Sequence, residues 1–176
     1  MSLTIKIAVI GPKGVGKSTI CNGLCDFSTQ VPSEYRPTKG VRILEKDQDL
    51  NDEALKVHKD IKKSNIQLWD LGGDKINEKF WPSVKSDLNG VILIIDGKNQ
   101  KYENALDEWI NSFCLPDIDI DNTICICYNK DNSKPDKQKT SNQFPKLVIY
   151  ETGYDIHNLM PILHQFVDKL ILKVKV

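Results

Sequence analysis

Apolar residues along this chain follow two different periods. Short runs rich in Ile, Val and Leu lie at about 4–10, 41–45, 66–69, 91–96, 123–128 and 147–150, and each predicts a strand. The run at 91–96, Val91-Ile92-Leu93-Ile94-Ile95-Asp96, is apolar almost throughout, as a central parallel strand covered on both faces requires. Between the strands the spacing becomes helical. Ile20, Leu24 and Phe27 share a face over 17–27, and Ala105, Leu106, Trp109, Ile110 and Phe113 share one over 101–114. A last helix buries Leu163, Phe166, Val167, Leu170 and Val174, with Pro161 suited to its first turn. Residues 28–39 and 132–145 lose periodicity, carry prolines and read as loops. The polar stretch 46–64 has only weak helical spacing at Ala54, Val57 and Ile61, which leaves a short helix and disorder both open. Strands alternating with helices predict a doubly wound α/β fold: a six-stranded, mainly parallel sheet with helices on both faces, one domain over 1–176.

Chemistry enters at the first strand–helix junction. Gly11-Pro12-Lys13-Gly14-Val15-Gly16-Lys17-Ser18-Thr19 fits the phosphate-binding pattern G-x-x-x-x-G-K-[ST]. Its glycines let successive N–H groups turn inward as an anion nest, and the helix beginning there adds the positive end of its dipole. Lys17 is expected to reach the β/γ-phosphates, and Ser18 to ligate Mg²⁺. Three later turns stand at the carboxyl ends of strands: Asp70-Leu71-Gly72-Gly73-Asp74, Asn129-Lys130-Asp131-Asn132 and Glu151-Thr152-Gly153. In a doubly wound sheet such turns meet at one rim.

Composition narrows the classes. The 176 residues carry zero formal net charge, so no broad field favours nucleic acid or anionic membrane. The five cysteines, an odd number, suggest reduced thiols, and Cys125 and Cys127 read as small buried strand residues. No run is long enough to span a bilayer, and neither a signal peptide nor a lipid-anchor motif is expected.

With its motifs in this order, the chain resembles a Ras-superfamily small GTPase over nearly its whole length. Further stretches, Glu34-Tyr35-Arg36-Pro37-Thr38-Lys39-Gly40-Val41-Arg42-Ile43-Leu44-Glu45 and Trp69-Asp70-Leu71-Gly72-Gly73-Asp74 with Trp81-Pro82 beyond, resemble the Rab-like protein 5 or intraflagellar transport protein 22 family. The resemblance implies GTP or GDP as ligand with Mg²⁺. Ser18, Thr38 and Asp70 would serve the metal, and Gly11, Lys13, Gly14, Val15, Gly16, Lys17, Ser18, Thr19, Thr38 and Gly73 the phosphates. Asn129, Lys130, Asn132, Thr152 and Gly153 would serve the base. It also implies membership of the intraflagellar transport B complex, docking on coiled-coil subunits, and residence in cytoplasm and cilium or flagellum.

Three residues depart from the active family pattern. Asp74 stands where a glutamine orients the attacking water, so its charge opposes the triphosphate. Lys13 replaces a small residue; it reads either as a solvated loop lysine or as a side chain that would crowd an incoming arginine finger, a group worth about 10³–10⁵ in rate. Asn132 replaces the aspartate that accepts twice from guanine, which weakens base selectivity unless Asp131 shifts into its place. Slow hydrolysis is expected, with Asp74 in the catalytic water-positioning slot. Two readings stay open: a nucleotide-dependent binding module with little turnover, or an active Rab-like switch regulating trafficking. A P-loop small-molecule kinase fits less well, because Arg36 and Arg42 are the chain's only arginines. Trp69, Phe80 and Trp81 and the 46–64 stretch are candidate partner surfaces or ordinary packing.

Overall fold

The strand β1 (Leu3–Ile10) lies inside the sheet, parallel to β3 (Lys63–Leu71) on one side and to β4 (Gly90–Asp96) on the other. The computed structural model describes residues 3–27, 34, 36–98, 102–128, 136–153 and 155–175. β2 (Val41–Asp49) adds antiparallel to β3 at one edge, while β5 (Thr123–Tyr128) and β7 (Val148–Thr152) continue the parallel series beyond β4. All six predicted strands are present. A seventh, β6 (Asp136–Thr140), pairs antiparallel with β7, giving the order β2-β3-β1-β4-β5-β7-β6.

The apolar runs divide their side chains between two cores, as the strand period of two demands. Ile5, Ile7, Ile92, Ile94, Ile124 and Ile126 face α1 (Lys17–Leu24) and α5 (Ile156–Lys173). Ala8, Ile10, Leu93, Ile95, Cys125 and Cys127 face α3 (Trp81–Lys85) and α4 (Tyr102–Trp109). Burial of each such aliphatic side chain contributes about 1.5–3 kcal/mol. The sheet is therefore covered on both faces, and its strand ends hold the loops.

Several sequence expectations are corrected. Residues 132–145 are not loop throughout, because β6 occupies 136–140. α5 starts at Ile156, where the Asp155 side chain accepts from His157 N, so Pro161 lies inside the helix rather than in its first turn. α1 ends at Leu24, and Phe27 is 68% exposed instead of sharing its apolar face. The helix expected over 101–114 becomes π-helical from Ile110 to Cys114.

The 46–64 stretch is ordered. β2 runs on to Asp49, α2 (Asp52–Val57) follows, and Asn51 caps it by accepting from Ala54 N. Leu50, Ala54 and Ile61 are buried in the core that includes α5. His58 Nε2 lies 2.9 Å from the Ile171 carbonyl, so that nitrogen must be the donor, and Gln48 Nε2 donates to Asp168 Oδ1 at 3.0 Å.

Candidate nucleotide and metal site

The turn from β1 into α1 wraps an anion-sized hollow. Gly11, Gly14 and Gly16 have φ of 135°, 83° and 90°, the left-handed region that suits glycine. At Gly11 a Cβ would also collide with the Ile94 carbonyl of β4. Val15 packs against the core, and the amides of Thr19 and Ile20 both donate to the Gly16 carbonyl at 3.1 Å as the helix begins. Lys17 is buried, and its Nζ donates to the carbonyls of Gly11 at 2.8 Å and Pro12 at 2.6 Å. Burial pulls the Lys17 ammonium down to about 8, with the nearby Asp70 carboxylate acting in the opposite direction. An arriving anion would favour the charged form.

Three oxygens from distant parts of the chain meet beside this loop. Ser18 Oγ donates to Asp70 Oδ2 at 2.7 Å, Thr38 Oγ1 lies 3.0 Å from Ser18 Oγ, and Thr38 Oγ1 lies 3.4 Å from Asp70 Oδ2. Asp70 is wholly buried, and its Oδ1 has no hydrogen-bond partner among the described residues. The set fits Mg²⁺. Two neighbouring ligands of an octahedral ion at about 2.1 Å stand about 3.0 Å apart, the separation of the two hydroxyls. An unmatched buried carboxylate oxygen next to them suits the ion's hydration shell.

Gly73 completes the phosphate side. A Cβ there would lie 2.5 Å from Gly11 O, Lys13 N and Pro12 C, so the backbone after Asp70 presses directly on the loop. Asp74 is exposed and caps the following 3₁₀ turn, Lys75–Phe80, by accepting from Ile76 N at 3.3 Å. A cleft of about 400 Å³ opens among Lys13, Lys17, Ser18, Thr38, Gly73 and Asp74. The structure thus brings the P-loop, Thr38, Asp70, Gly73 and Asp74 together. Thr152 and Gly153 are buried at the end of β7, a parallel neighbour of β5. Asn129, Lys130 and Asn132 lie outside the described residues.

Two participants make contacts that the sequence did not assign to them. Asn77 is buried, and its Oδ1 accepts from Gly40 N at 3.1 Å. Arg42 forms an ion pair with Asp70 Oδ2 at 3.1 Å. The aromatic residues also separate. Trp81 packs against Trp109 and Phe113 at centroid distances of 5.7 and 5.2 Å, whereas Lys6 Nζ sits 3.9 Å from the Trp69 ring centroid. Phe80 remains 38% exposed.

A central β1 flanked by parallel strands, a P-loop at its end and a Ser–Thr–Asp oxygen cluster define a Ras-like G domain. The family described as Ras of Complex, Roc, domain of DAPkinase matches residues 6–132. Intraflagellar transport associated protein 2 of Caenorhabditis elegans is 32% identical over 173 residues, covering 81% of this chain and 67% of that protein. The human intraflagellar transport protein 22 homolog is 31% identical, covering 79% of this chain and 72% of its own length. Intraflagellar transport protein 22 of Trypanosoma brucei brucei is 32% identical, but the chain spans only 54% of its length. The GTP-bound crystal structure of T. brucei IFT22/74/81 superposes with a TM-score of 0.68 at 23% identity, over 94% of this chain and 96% of that one. The chain belongs to the intraflagellar transport protein 22 family of Ras-like GTPases.

Proposed function

We propose that this chain is a guanine-nucleotide-binding subunit of an intraflagellar transport B assembly, a nucleotide-dependent binding module that hydrolyses GTP slowly at the cilium or flagellum and in the cytoplasm. The observation that carries this is the cluster of Ser18, Thr38 and Asp70 beside the P-loop. It gathers one group from α1, one from the segment before β2 and one from β3, so an ion and phosphate held there would fix all three segments together.

In this reading Gly11, Lys13, Gly14, Val15, Gly16, Lys17, Ser18 and Thr19 cradle the phosphates through main-chain N–H groups and the Lys17 charge. Gly73 N–H would serve the terminal phosphate, a role supported by the closeness of Gly73 to the loop. Ser18, Thr38 and Asp70 would hold Mg²⁺, which neutralises phosphate charge. Asn129, Lys130 and Asn132 read the base, backed by Thr152 and Gly153. Exposed Asp74 takes the water-positioning slot with a charge unfavourable to the reaction. Exposed Ile43, Ile76 and Phe80, on or next to the segments that carry these groups, support docking of an apolar coiled-coil partner. The T. brucei IFT22/74/81 structure supports intraflagellar transport subunits as the partners.

Equilibrium binding of fluorescent GTP, GDP, XTP and ATP in Mg²⁺ tests the nucleotide assignment, with guanine preferred and XTP tolerated because of Asn132. A pull-down with the two intraflagellar transport coiled-coil subunits, run with GTP, GDP and no nucleotide, tests the module. Equal capture in all three states would reject it.

A further inference from the structure

Asp70 already has a permanent cation. Arg42 stands opposite Asp70 in the antiparallel register of β2 and β3, and its guanidinium reaches across the strand end toward α1. A single nitrogen, Nη2, lies 3.1 Å from Asp70 Oδ2, 3.0 Å from Asn22 Oδ1 and 3.3 Å from the Ser18 carbonyl oxygen. One donor group therefore ties the first strand after Thr38 to the buried carboxylate and to the helix that carries Ser18. A guanidinium stays charged at any ordinary pH, so this pairing does not come and go with protonation.

Electrostatics give the pairing a consequence. A buried carboxylate close to a polyphosphate repels it, and stripping the divalent ion from such a site normally leaves that repulsion uncompensated. Here Arg42 compensates Asp70 whether or not the ion is present. Arg42 also shares Oδ2 with Ser18, while Oδ1 has no hydrogen-bond partner among the described residues. The same charge that relieves the phosphates lowers the attraction of the site for a divalent cation.

We infer that Arg42 is a positioning residue that holds Asp70 and Ser18 in place without the metal, so that this domain keeps its nucleotide when Mg²⁺ is removed and binds Mg²⁺ more weakly than it would without Arg42. The inference rests on the nucleotide-binding reading above. The feature that sets it apart is the arginine bridge between β2, β3 and α1.

The test uses the full chain loaded with mant-GDP in Mg²⁺, then diluted into excess unlabelled GDP with either MgCl₂ or EDTA. Chelation is expected to speed release by less than about tenfold in wild type and by more than about a hundredfold in Arg42→Gln. Arg42→Lys keeps the charge but not the three-way reach, and should fall between them. Titrating MgCl₂ into metal-free, nucleotide-loaded protein should give tighter binding for Arg42→Gln than for wild type, an effect that mere loss of packing would not produce. Equal acceleration by EDTA in wild type and Arg42→Gln would overturn the inference while leaving the nucleotide reading intact. If Arg42→Gln does not fold, wild type alone decides: release accelerated more than about a hundredfold by EDTA rejects the proposal. Failure of wild type to bind mant-GDP even in Mg²⁺ would overturn the nucleotide reading and this inference with it.

Discussion

The side chain of Asn77 holds the backbone of Gly40: Oδ1 accepts the Gly40 N–H at 3.1 Å, while the Gly40 carbonyl accepts from Gly72 N at 2.9 Å. Both polar groups of one peptide position, two residues beyond Thr38, are thus committed to the segment that follows Asp70. Replacing Asn77 with Ala leaves the Gly40 amide without this acceptor, at a cost of about 1 kcal/mol, or about 2–4 °C in Tm for a chain of this size. Asn77→Asp keeps the acceptor and should recover most of the loss. Thermal unfolding of the two variants, with hydrogen exchange at the Gly40 amide, checks this. Equal exchange in Asn77→Ala and wild type would count against the coupling.

Gly73 is a stricter position. A Cβ added there would fall 2.5 Å from backbone atoms of Gly11, Pro12 and Lys13, which cannot swing aside as a flexible side chain could. Gly73→Ala should destabilise the fold by about 1–3 kcal/mol through local overpacking and weaken nucleotide binding disproportionately. Calorimetry of binding beside a thermal melt separates the two effects.

Asp74 uses its carboxylate to cap the 3₁₀ turn, accepting from Ile76 N at 3.3 Å. Asp74→Gln gives up that cap, for a loss of about 0.5–1 kcal/mol, but removes a negative charge from the phosphate cleft. Single-turnover GTP hydrolysis should therefore rise in the variant even as Tm falls slightly. Wild type hydrolysing as fast as Asp74→Gln would show that the carboxylate is no hindrance.

The buried thiols give a pH dependence of known sign. Burial pushes Cys114 up from 9.0 to about 12, and burial likewise raises Cys125. A thiol whose folded pKa exceeds its unfolded value stabilises the fold fully below the unfolded value. That contribution is lost as pH climbs from about 9 toward 12, at about 1.4 kcal/mol per pH unit for each such thiol. Denaturant midpoints should be flat on this account up to pH 8 and fall above pH 9. Cys114→Ser and Cys125→Ser should each flatten the alkaline limb.

Much of this was legible in the sequence where the signal was local. The P-loop is contiguous, so its residues and its place between β1 and α1 could be read directly. The strands of the central sheet were readable because burial on both faces leaves uninterrupted apolar runs such as Val91-Ile92-Leu93-Ile94-Ile95. β6 was not, because Asp136-Lys137-Gln138-Lys139-Thr140 is an edge strand made by pairing with β7 and carries no apolar alternation. α5 starts ahead of the turn that Pro161 suggests, because Asp155 supplies a cap before Ile156. The contacts of Arg42 and Asn77 were unreadable for a different reason: Arg42 lies inside a stretch that carries the resemblance, but neither residue signals its partner, which lies far away in sequence.

The docking of residues 50–61 against α5 limits how the sheet edge can travel. A slip of β2 against β3 by one residue would turn Leu44 and its neighbours to the opposite face. A slip by two would drag Leu50, Ala54 and Ile61 from their seats and part His58 from Ile171. The hairpin is therefore a fixed rail, bolted at its far end. At the near end of that rail lie residues 36–40 and 72–80, whose Thr38, Gly73 and Asp74 border the cleft, so a partner docking on that end would meet the segments that line it.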